Sequence, residues 1–149
     1  MEWVERLHGQ IVGLDTAPLI YFIEKNTSYL SLVHPFFEAV ERGDIQVVTS
    51  TLTLTEVLIH PLRHGNRNLA LRYSHILLNA NNLKTLSVSP AIATEAAQLR
   101  AQYGFKTPDS IQLATAQQAN AAFFLTNDDA LTRVPGLQTL VLKHLLQHP

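Results

Sequence analysis

Short apolar runs alternate with longer amphipathic stretches along the whole chain. The apolar runs are rich in Val, Ile, Leu and Phe, which favours buried β-strands. They predict strands over residues 10–14, 45–49, 84–88, 122–126 and 138–142. The stretches between them carry apolar residues at helical spacing. They predict helices over residues 18–23, 30–41, 67–80 and 90–103, another between 50 and 61, and a last one from residue 107 onward.

Several helix boundaries carry their own signals. Pro18 fits the first turn of a helix, because its missing N–H group would have no partner there. Either Ser50 or Thr53 can cap the helix that follows residue 50, and the spacing from Thr53 to Glu56 matches a capping box. We expect Pro61 to end this helix or to follow its end closely, since proline disrupts a helix interior.

The order of the predicted elements indicates the fold class. Strands that alternate with helices favour a mostly parallel sheet covered by helices on both faces, which is a three-layer α/β/α arrangement. Residues 1–149 contain no linker rich in Gly, Ser or Pro, so we expect one domain. In such folds ligands bind beyond the carboxyl ends of the strands. The residues that directly follow each strand are therefore the first candidates for a functional site.

Four acidic residues stand at such positions. Asp15 follows the first predicted strand, and Asp128 follows the strand over residues 122–126. Glu56 and Asp109 lie near the starts of helices that begin on the same side of the sheet. Thr107 is the expected cap of the second of these helices, with a proline at its first position. We therefore expect four carboxylates from distant parts of the chain to converge at one edge.

Converging carboxylates imply either a neutralising cation or raised pKa values, because each pair of unit charges at 4 Å repels by about 4 kcal/mol at an effective dielectric constant of about 20. An all-oxygen ligand set favours Mg²⁺ or Mn²⁺. Such an ion can activate a water molecule and stabilise the leaving oxygen in phosphodiester hydrolysis. Glu56 and Asp109 have a simpler interpretation as partners of their helix dipoles, and the pattern alone leaves both interpretations open.

The amino-acid composition excludes several classes of function. The chain has 11 Lys and Arg residues against 12 Asp and Glu residues and no cysteine. Disulfide frameworks, thiolate metal sites and cysteine nucleophiles are therefore excluded, and a broad basic surface for nucleic acid is not expected. No run is long and apolar enough for a membrane helix, and the first residues lack a signal-peptide pattern. We accordingly expect a cytoplasmic protein without a membrane association.

The same residues resemble the PIN-domain family, and within it the small VapC-like ribonuclease toxins of toxin–antitoxin pairs. The resemblance covers residues 11 to 142 and is carried by four segments in series, which read VGLDT (12–16), TLTEVL (53–58), PDSIQLATA (108–116) and FLTND (124–128). It implies a PIN-like α/β/α sandwich. It also implies an endoribonuclease that depends on Mg²⁺ or Mn²⁺ and cuts single-stranded or structured RNA. Family members commonly dimerise, and toxins are held inactive by an antitoxin, so a homodimer and an antitoxin partner are implied as well.

Carried over by position, the resemblance assigns the site residues. The catalytic and metal-binding acids are Asp15, Glu56, Asp109 and Asp128. Thr16 and Thr126 match polar positions beside the first and last acids. Asp129 also follows the strand over residues 122–126, so either Asp128 or Asp129 can occupy the outer position, and the register favours Asp128.

Basic and histidine side chains give weaker signals. Arg63, Arg67 and Lys106 are candidates for contacts with RNA phosphates, although solvated helix faces explain such residues equally well. His60 and His64 have the spacing of a metal-binding pair. The expected helix break at residue 61 and the lack of a third ligand favour two surface histidines instead of a zinc site.

Two other functions fit the same fold class. An aspartyl-phosphate enzyme or phosphoreceiver would use Asp15 as its nucleophile, but Ala17 stands where a second acid would be expected, and no lysine follows the strand over residues 122–126. A non-catalytic PIN-like module could bind RNA or a protein. The presence of all four acids argues against that module, because their repulsion would serve no purpose there.

Overall fold

A single parallel sheet forms the centre of the molecule. The structure is a computed structural model and describes residues 1–148. Its five strands lie in the order β3-β2-β1-β4-β5, and each neighbouring pair is parallel. Their bounds are β1 Ile11–Leu14, β2 Gln46–Ser50, β3 Leu83–Leu86, β4 Phe123–Thr126 and β5 Gln138–Val141.

Helices connect the strands. Their bounds are α1 Glu2–Glu5, α2 Thr16–Ile23, α3 Leu30–Glu41, α4 Thr51–Arg63, α5 Arg67–Asn79, α6 Pro90–Tyr103, α7 Thr107–Gln118 and α8 Leu142–Gln147. A short 3-10 helix over Asp129–Leu131 follows β4. Among residues 1–148, none of these helices has the length and hydrophobicity that a bilayer crossing would need.

Two apolar cores lie on opposite faces of the sheet. Neighbouring residues of one strand point to opposite sides, so Val47 joins the core formed with α1, α2, α3 and α5, whereas Val48 joins the core formed with α6 and α7. Leu125 and Phe124 divide between the two cores in the same way. The predicted three-layer α/β/α sandwich is thereby confirmed, and the sheet is wholly parallel.

The predicted elements are present, with bounds that differ by a few residues. The helix over residues 30–41 agrees with α3, whereas α2 begins at Thr16, two residues before Pro18, because Asp15 caps it. Ser50 is the cap of α4. The prediction of a capping box was wrong, since Thr53 lies inside the helix and the Glu56 carboxylate accepts its hydrogen bond from a different helix.

Two further boundary predictions were wrong. α4 continues through Pro61 to Arg63, because Pro61 is buried and the backbone hydrogen bond from His64 N–H to the His60 carbonyl closes the last turn around it. His60 and His64 therefore remain on one helix face, with ring centroids 4.2 Å apart. Likewise, Lys106 is the cap of α7, and Thr107 is its first helical residue.

The starts of three helices and of the short 3-10 helix lie at one edge of the parallel sheet. β1, β2 and β4 all end at this edge, where α2, α4 and the 3-10 helix begin directly after them. α7 also starts there, because it runs back along β1 and its last turn leads into β4. Side chains in these four short segments can therefore meet, although the chain separates them widely.

Candidate active site

Asp15 stands at the end of β1 and caps α2. Its Oδ1 accepts a hydrogen bond from the Thr16 N–H (2.9 Å), and its Oδ2 accepts one from the Thr126 hydroxyl (2.6 Å). Thr126 is the last residue of β4 and is fully buried. The neighbouring strand β4 thus fixes the orientation of this carboxylate.

Asp128 is connected to Asp15 by hydrogen bonds to the same threonine. Its backbone N–H donates to the Thr126 Oγ1 (3.1 Å), and its own Oδ1 accepts from the Ala130 N–H (2.9 Å), which caps the 3-10 helix. The Thr126 hydroxyl therefore accepts from one acidic residue and donates to the other. This arrangement holds Asp15 and Asp128 at the same strand end.

Glu56 and Asp109 reach the site from two helices. Glu56 lies on the second turn of α4, and its Oε1 accepts a hydrogen bond from the Thr16 Oγ1 (2.8 Å) across the interface with α2. Asp109 lies in the first turn of α7. The side chain of Glu56 thus crosses to another element, which explains why it does not complete a capping box.

The electrostatics show that the four acids share one neighbourhood. Burial raises the pKa of Asp15 above its usual value, with a smaller rise from the charge of Asp128. Burial, followed by the negative charges of Asp15, Asp128 and Glu56, raises the pKa of Asp109 to about 6, although Lys106 acts in the opposite direction. Asp15, Asp128 and Glu56 thus all lie near enough to Asp109 for their charges to act on it.

A layer of buried hydroxyl and amide groups supports the acids. Gln112 on α7 donates from Nε2 to the Thr53 Oγ1 (2.6 Å) and accepts from the Ser50 hydroxyl at Oε1 (2.8 Å). Gln112 and Thr49 are not predicted as site residues from the sequence, and Ser50 and Thr53 are predicted only as caps. A polar residue inside the otherwise apolar run from Ile111 to Ala114 is the signal that could have identified Gln112.

Asp129 points to a different partner. Its carboxylate lies 3.6 Å from the Lys143 Nζ and 3.9 Å from the His144 Nε2, both on α8. Asp128, and not Asp129, contributes to the raised pKa values of Asp15 and Asp109. The geometry therefore favours Asp128 at the outer position and leaves Asp129 at the margin of the site.

The three basic candidates lie at different distances from the acids. Lys106 caps α7 and is near enough to Asp109 to lower its pKa. Arg63 ends α4, about 10 Å along the helix axis from Glu56 at 1.5 Å per residue, and Arg67 starts α5. Both arginines are exposed, and within residues 1–148 neither forms an ion pair with the acids. The structure therefore brings only Lys106 to the acidic cluster.

The acidic set suits a hydrated divalent ion. Among residues 1–148, no three Asp, Glu or His side chains are grouped closely enough to hold one ion by direct coordination. Mg²⁺ requires fewer direct protein ligands, because it commonly binds through one or two carboxylates and keeps several waters. Two carboxylates with raised pKa values, both acted on by the charge of Asp128, match that chemistry. Asp15 and Asp128, with Asp109 and Glu56 acting through water, are the side chains that could hold such an ion.

A parallel sheet with helices on both faces and acids at its carboxyl edge defines a class of α/β proteins that includes the PIN domains. The PIN domain family model matches residues 12–137. The chain belongs to the PIN domain family. Residues 1–11, which contain α1, lie before the matched segment.

Several solved structures share the fold, among them one described as a toxin–antitoxin complex from Klebsiella pneumoniae. VapBC2 from Rickettsia felis, bound to a DNA fragment from its promoter, gives a TM-score of 0.69 at 18% identity and covers 88% of this chain and 98% of that chain. DNA-bound VapBC from Salmonella typhimurium gives a TM-score of 0.64 at 19% identity, and the match covers 89% of this chain and 98% of that chain. Mycobacterium tuberculosis VapC20, described as a Sarcin-Ricin loop cleaving toxin, gives 0.62 at 13% identity, with coverages of 76% and 86%. At these identities the likeness shows the fold. A search of curated proteins found no significant match.

Proposed function

We propose that this chain is a metal-dependent endoribonuclease and acts as the toxin of a toxin–antitoxin pair. The observation that carries the proposal is the joint neighbourhood of Asp15, Asp109 and Asp128 with Glu56, at the carboxyl edge of a PIN-fold sheet. Membership of the PIN family and the toxin–antitoxin origin of its structural neighbours support this interpretation.

The four acids would hold Mg²⁺ or Mn²⁺ together with its waters. When bound, such an ion lowers the pKa of a water molecule and offsets the charge of the scissile phosphate. Thr126 keeps the Asp15 Oδ2 oriented, and Thr16 keeps the Glu56 Oε1 oriented. These hydroxyls hold the two carboxylates in fixed orientations, which reduces the reorganisation needed during the reaction.

The substrate and partners follow from the same proposal. A chain with a net charge of −1 needs local attraction for RNA, and Lys106 beside Asp109 is the first candidate for a phosphate contact. Arg63 and Arg67 are candidates for contacts with more distant phosphates. An antitoxin protein would cover the acidic edge, the toxin would form a homodimer, and an RNA substrate implies action in the cytoplasm.

Cleavage of single-stranded RNA by the purified protein tests the proposal. We expect cleavage with Mg²⁺ or Mn²⁺, none after chelation, and a loss of at least about 100-fold in Asp15→Asn and Asp109→Asn, as for removal of a group that stabilises transition-state charge. Asp44→Asn is the matched control, because Asp44 pairs with Arg42 before the start of β2, at the other end of that strand. Wild-type cleavage by both site variants would overturn the nuclease assignment. RNA binding without cleavage would favour a non-catalytic module.

The outer acid can be identified with a pair of neighbouring substitutions. Asp128→Asn removes a charge that acts on Asp15 and Asp109, whereas Asp129→Asn removes one that faces Lys143. We expect cleavage to fall at least about tenfold further in Asp128→Asn, since partners of a metal site typically contribute about 10–100-fold. A larger loss in Asp129→Asn would assign the position to Asp129.

A further inference from the structure

A buried hydrogen-bond network connects the helices that carry the acids. We propose that Gln112 is a positioning residue of the candidate active site, because its side-chain amide ties α7 to the first turns of α2 and α4 and thereby sets how Asp109 and Glu56 face Asp15. The inference rests on the proposed function, since relative placement of the acids matters only if they share an ion.

The amide of Gln112 has a partner on each helix. Gln112 is only 3% exposed. Its Oε1 accepts from the Ser50 hydroxyl (2.8 Å), at the cap of α4. Its Nε2 donates to the Thr53 Oγ1 on α4 (2.6 Å) and lies 3.4 Å from the Thr16 Oγ1 on α2. One side chain therefore links the middle of α7 to the starts of α2 and α4.

Counting protons fixes the orientation of this amide. The Thr49 hydroxyl donates to the Leu14 carbonyl (2.9 Å), which can only accept. Thr49 must therefore accept from the Thr53 hydroxyl, 2.8 Å away. Thr53 has then used its only proton and must accept from Gln112, so the amide nitrogen faces Thr53 and the amide oxygen faces Ser50. A flipped amide would leave one of these contacts without a proton.

The same count extends to the acids. The second Nε2 proton of Gln112 points to Thr16, so the Thr16 hydroxyl accepts there and donates its own proton to the Glu56 Oε1 at 2.8 Å. Asp109 lies three residues before Gln112, on the same side of α7. Anchoring Gln112 therefore anchors Asp109 relative to α2, which Asp15 caps.

An apolar residue would fill the position more simply. The run around Gln112 contains Leu113, Ala114 and Ala116, all buried. Burying an amide is costly unless its groups find partners, and here the partners come from two other helices. Buried polar networks of this kind restrict how elements fit together more than an apolar contact does. The arrangement is therefore suited to holding the acids in fixed relative positions.

Mn²⁺ binding, measured by calorimetry, tests this role independently of RNA cleavage. In Gln112→Met, which keeps the length but removes the amide, we expect the affinity for Mn²⁺ to fall about 10–100-fold, as for other partners of metal ligands. Thr115→Val is the matched control on α7, because it removes a buried hydroxyl that bonds only to the carbonyl of Ile111 on the same helix (2.8 Å). We expect it to lower the thermal midpoint without altering the affinity for Mn²⁺.

A second variant guards against a folding failure. Thr53→Val keeps the side-chain shape and removes the acceptor of the Gln112 amide, so it should also weaken Mn²⁺ binding. If Gln112→Met does not fold, Thr53→Val decides the matter. Wild-type affinity in the folded variants, or an equal loss in Thr115→Val, would overturn the inference alone. A wild-type protein that neither binds Mn²⁺ nor cleaves RNA would instead overturn the proposed function, and this inference with it.

Discussion

The Thr126 hydroxyl shows how closely two acids are held at the strand end. It donates to Asp15 and accepts from the backbone of Asp128. Hydrogen bonds from Thr126 and from the Thr16 N–H lower the pKa of Asp15, yet burial outweighs them and the net effect is a rise. The pKa of Asp109 is raised to about 6, also by burial first. The chain therefore maintains a repulsion that a bound cation would relieve.

The raised pKa of Asp109, caused first by burial and then by neighbouring negative charges, predicts how stability depends on pH without divalent ions. The native pKa of Asp109, about 6, exceeds its usual value of 3.8. The native state therefore binds this proton more tightly than the unfolded state does. The associated stabilisation is complete below about pH 4 and is lost as the pH rises through 6. We expect Asp109→Asn to raise the thermal midpoint by a few degrees near pH 7.5, and by much less near pH 4.

Thermal scans of both proteins in chelator, at the two pH values, measure this difference. Asp44→Asn again serves as the control, since Asp44 pairs with Arg42 and lies before β2. Adding Mg²⁺ near pH 7.5 should stabilise the wild type and not Asp109→Asn, because binding to the native state alone raises stability. An advantage of Asp109→Asn that does not change with pH would contradict the electrostatic explanation.

The site residues that directly follow strands could be predicted from the sequence, whereas those that depend on contacts between distant segments could not. Asp15 and Asp128 follow buried strands, and parallel strands end at a common edge, so local patterns were enough to group them. Gln112 escaped prediction because its partners, Ser50 and Thr53, lie about 60 residues away and only tertiary packing joins them. The prediction of a helix end at Pro61 failed for a related reason, since the burial of this residue outweighs its local preference.

The contact between β1 and α7 depends on one glycine. A Cβ atom added at Gly13 would lie 2.6 Å from the Ala116 Cβ and 2.9 Å from the Phe124 Cδ1, far inside normal contact. Gly13→Ala must therefore push α7, which carries Asp109 and Gln112, away from the sheet. We expect a loss of about 1–3 kcal/mol in the free energy of unfolding, as for other overpacked cores, measured by urea denaturation.

A double substitution separates this overpacking from other effects of Gly13→Ala. Ala116→Gly alone should cost about 1 kcal/mol through helix propensity. Combined with Gly13→Ala it removes the closest contact, so the double variant should lose less than the sum of the two single losses. Strictly additive losses would show that the approach of α7 to β1 is not the cause.

The charge of the whole molecule restricts how it can bind RNA. Its 11 basic residues are balanced by 12 acidic ones, and four of the acids gather at the proposed cleavage site. The molecule as a whole therefore does not attract a polyanion, and attraction must come from a bound cation and from individual side chains such as Lys106. The two apolar cores and the sheet between them provide the rigid support that brings this residue beside Asp109.

This charge balance makes the salt dependence of RNA binding a direct test of Lys106. Each phosphate neutralised by a basic side chain changes the slope of log K against log salt by about 0.7 for single strands. With the proposed inactive Asp15→Asn background, we expect Lys106→Ala to make the slope shallower by about that amount. Lys84→Ala, on the edge strand β3, should leave the slope unchanged. Fluorescence anisotropy over about 50–200 mM salt covers the useful range. Equal slopes for the two variants would remove Lys106 from the RNA-binding surface and would direct attention to Arg63 and Arg67.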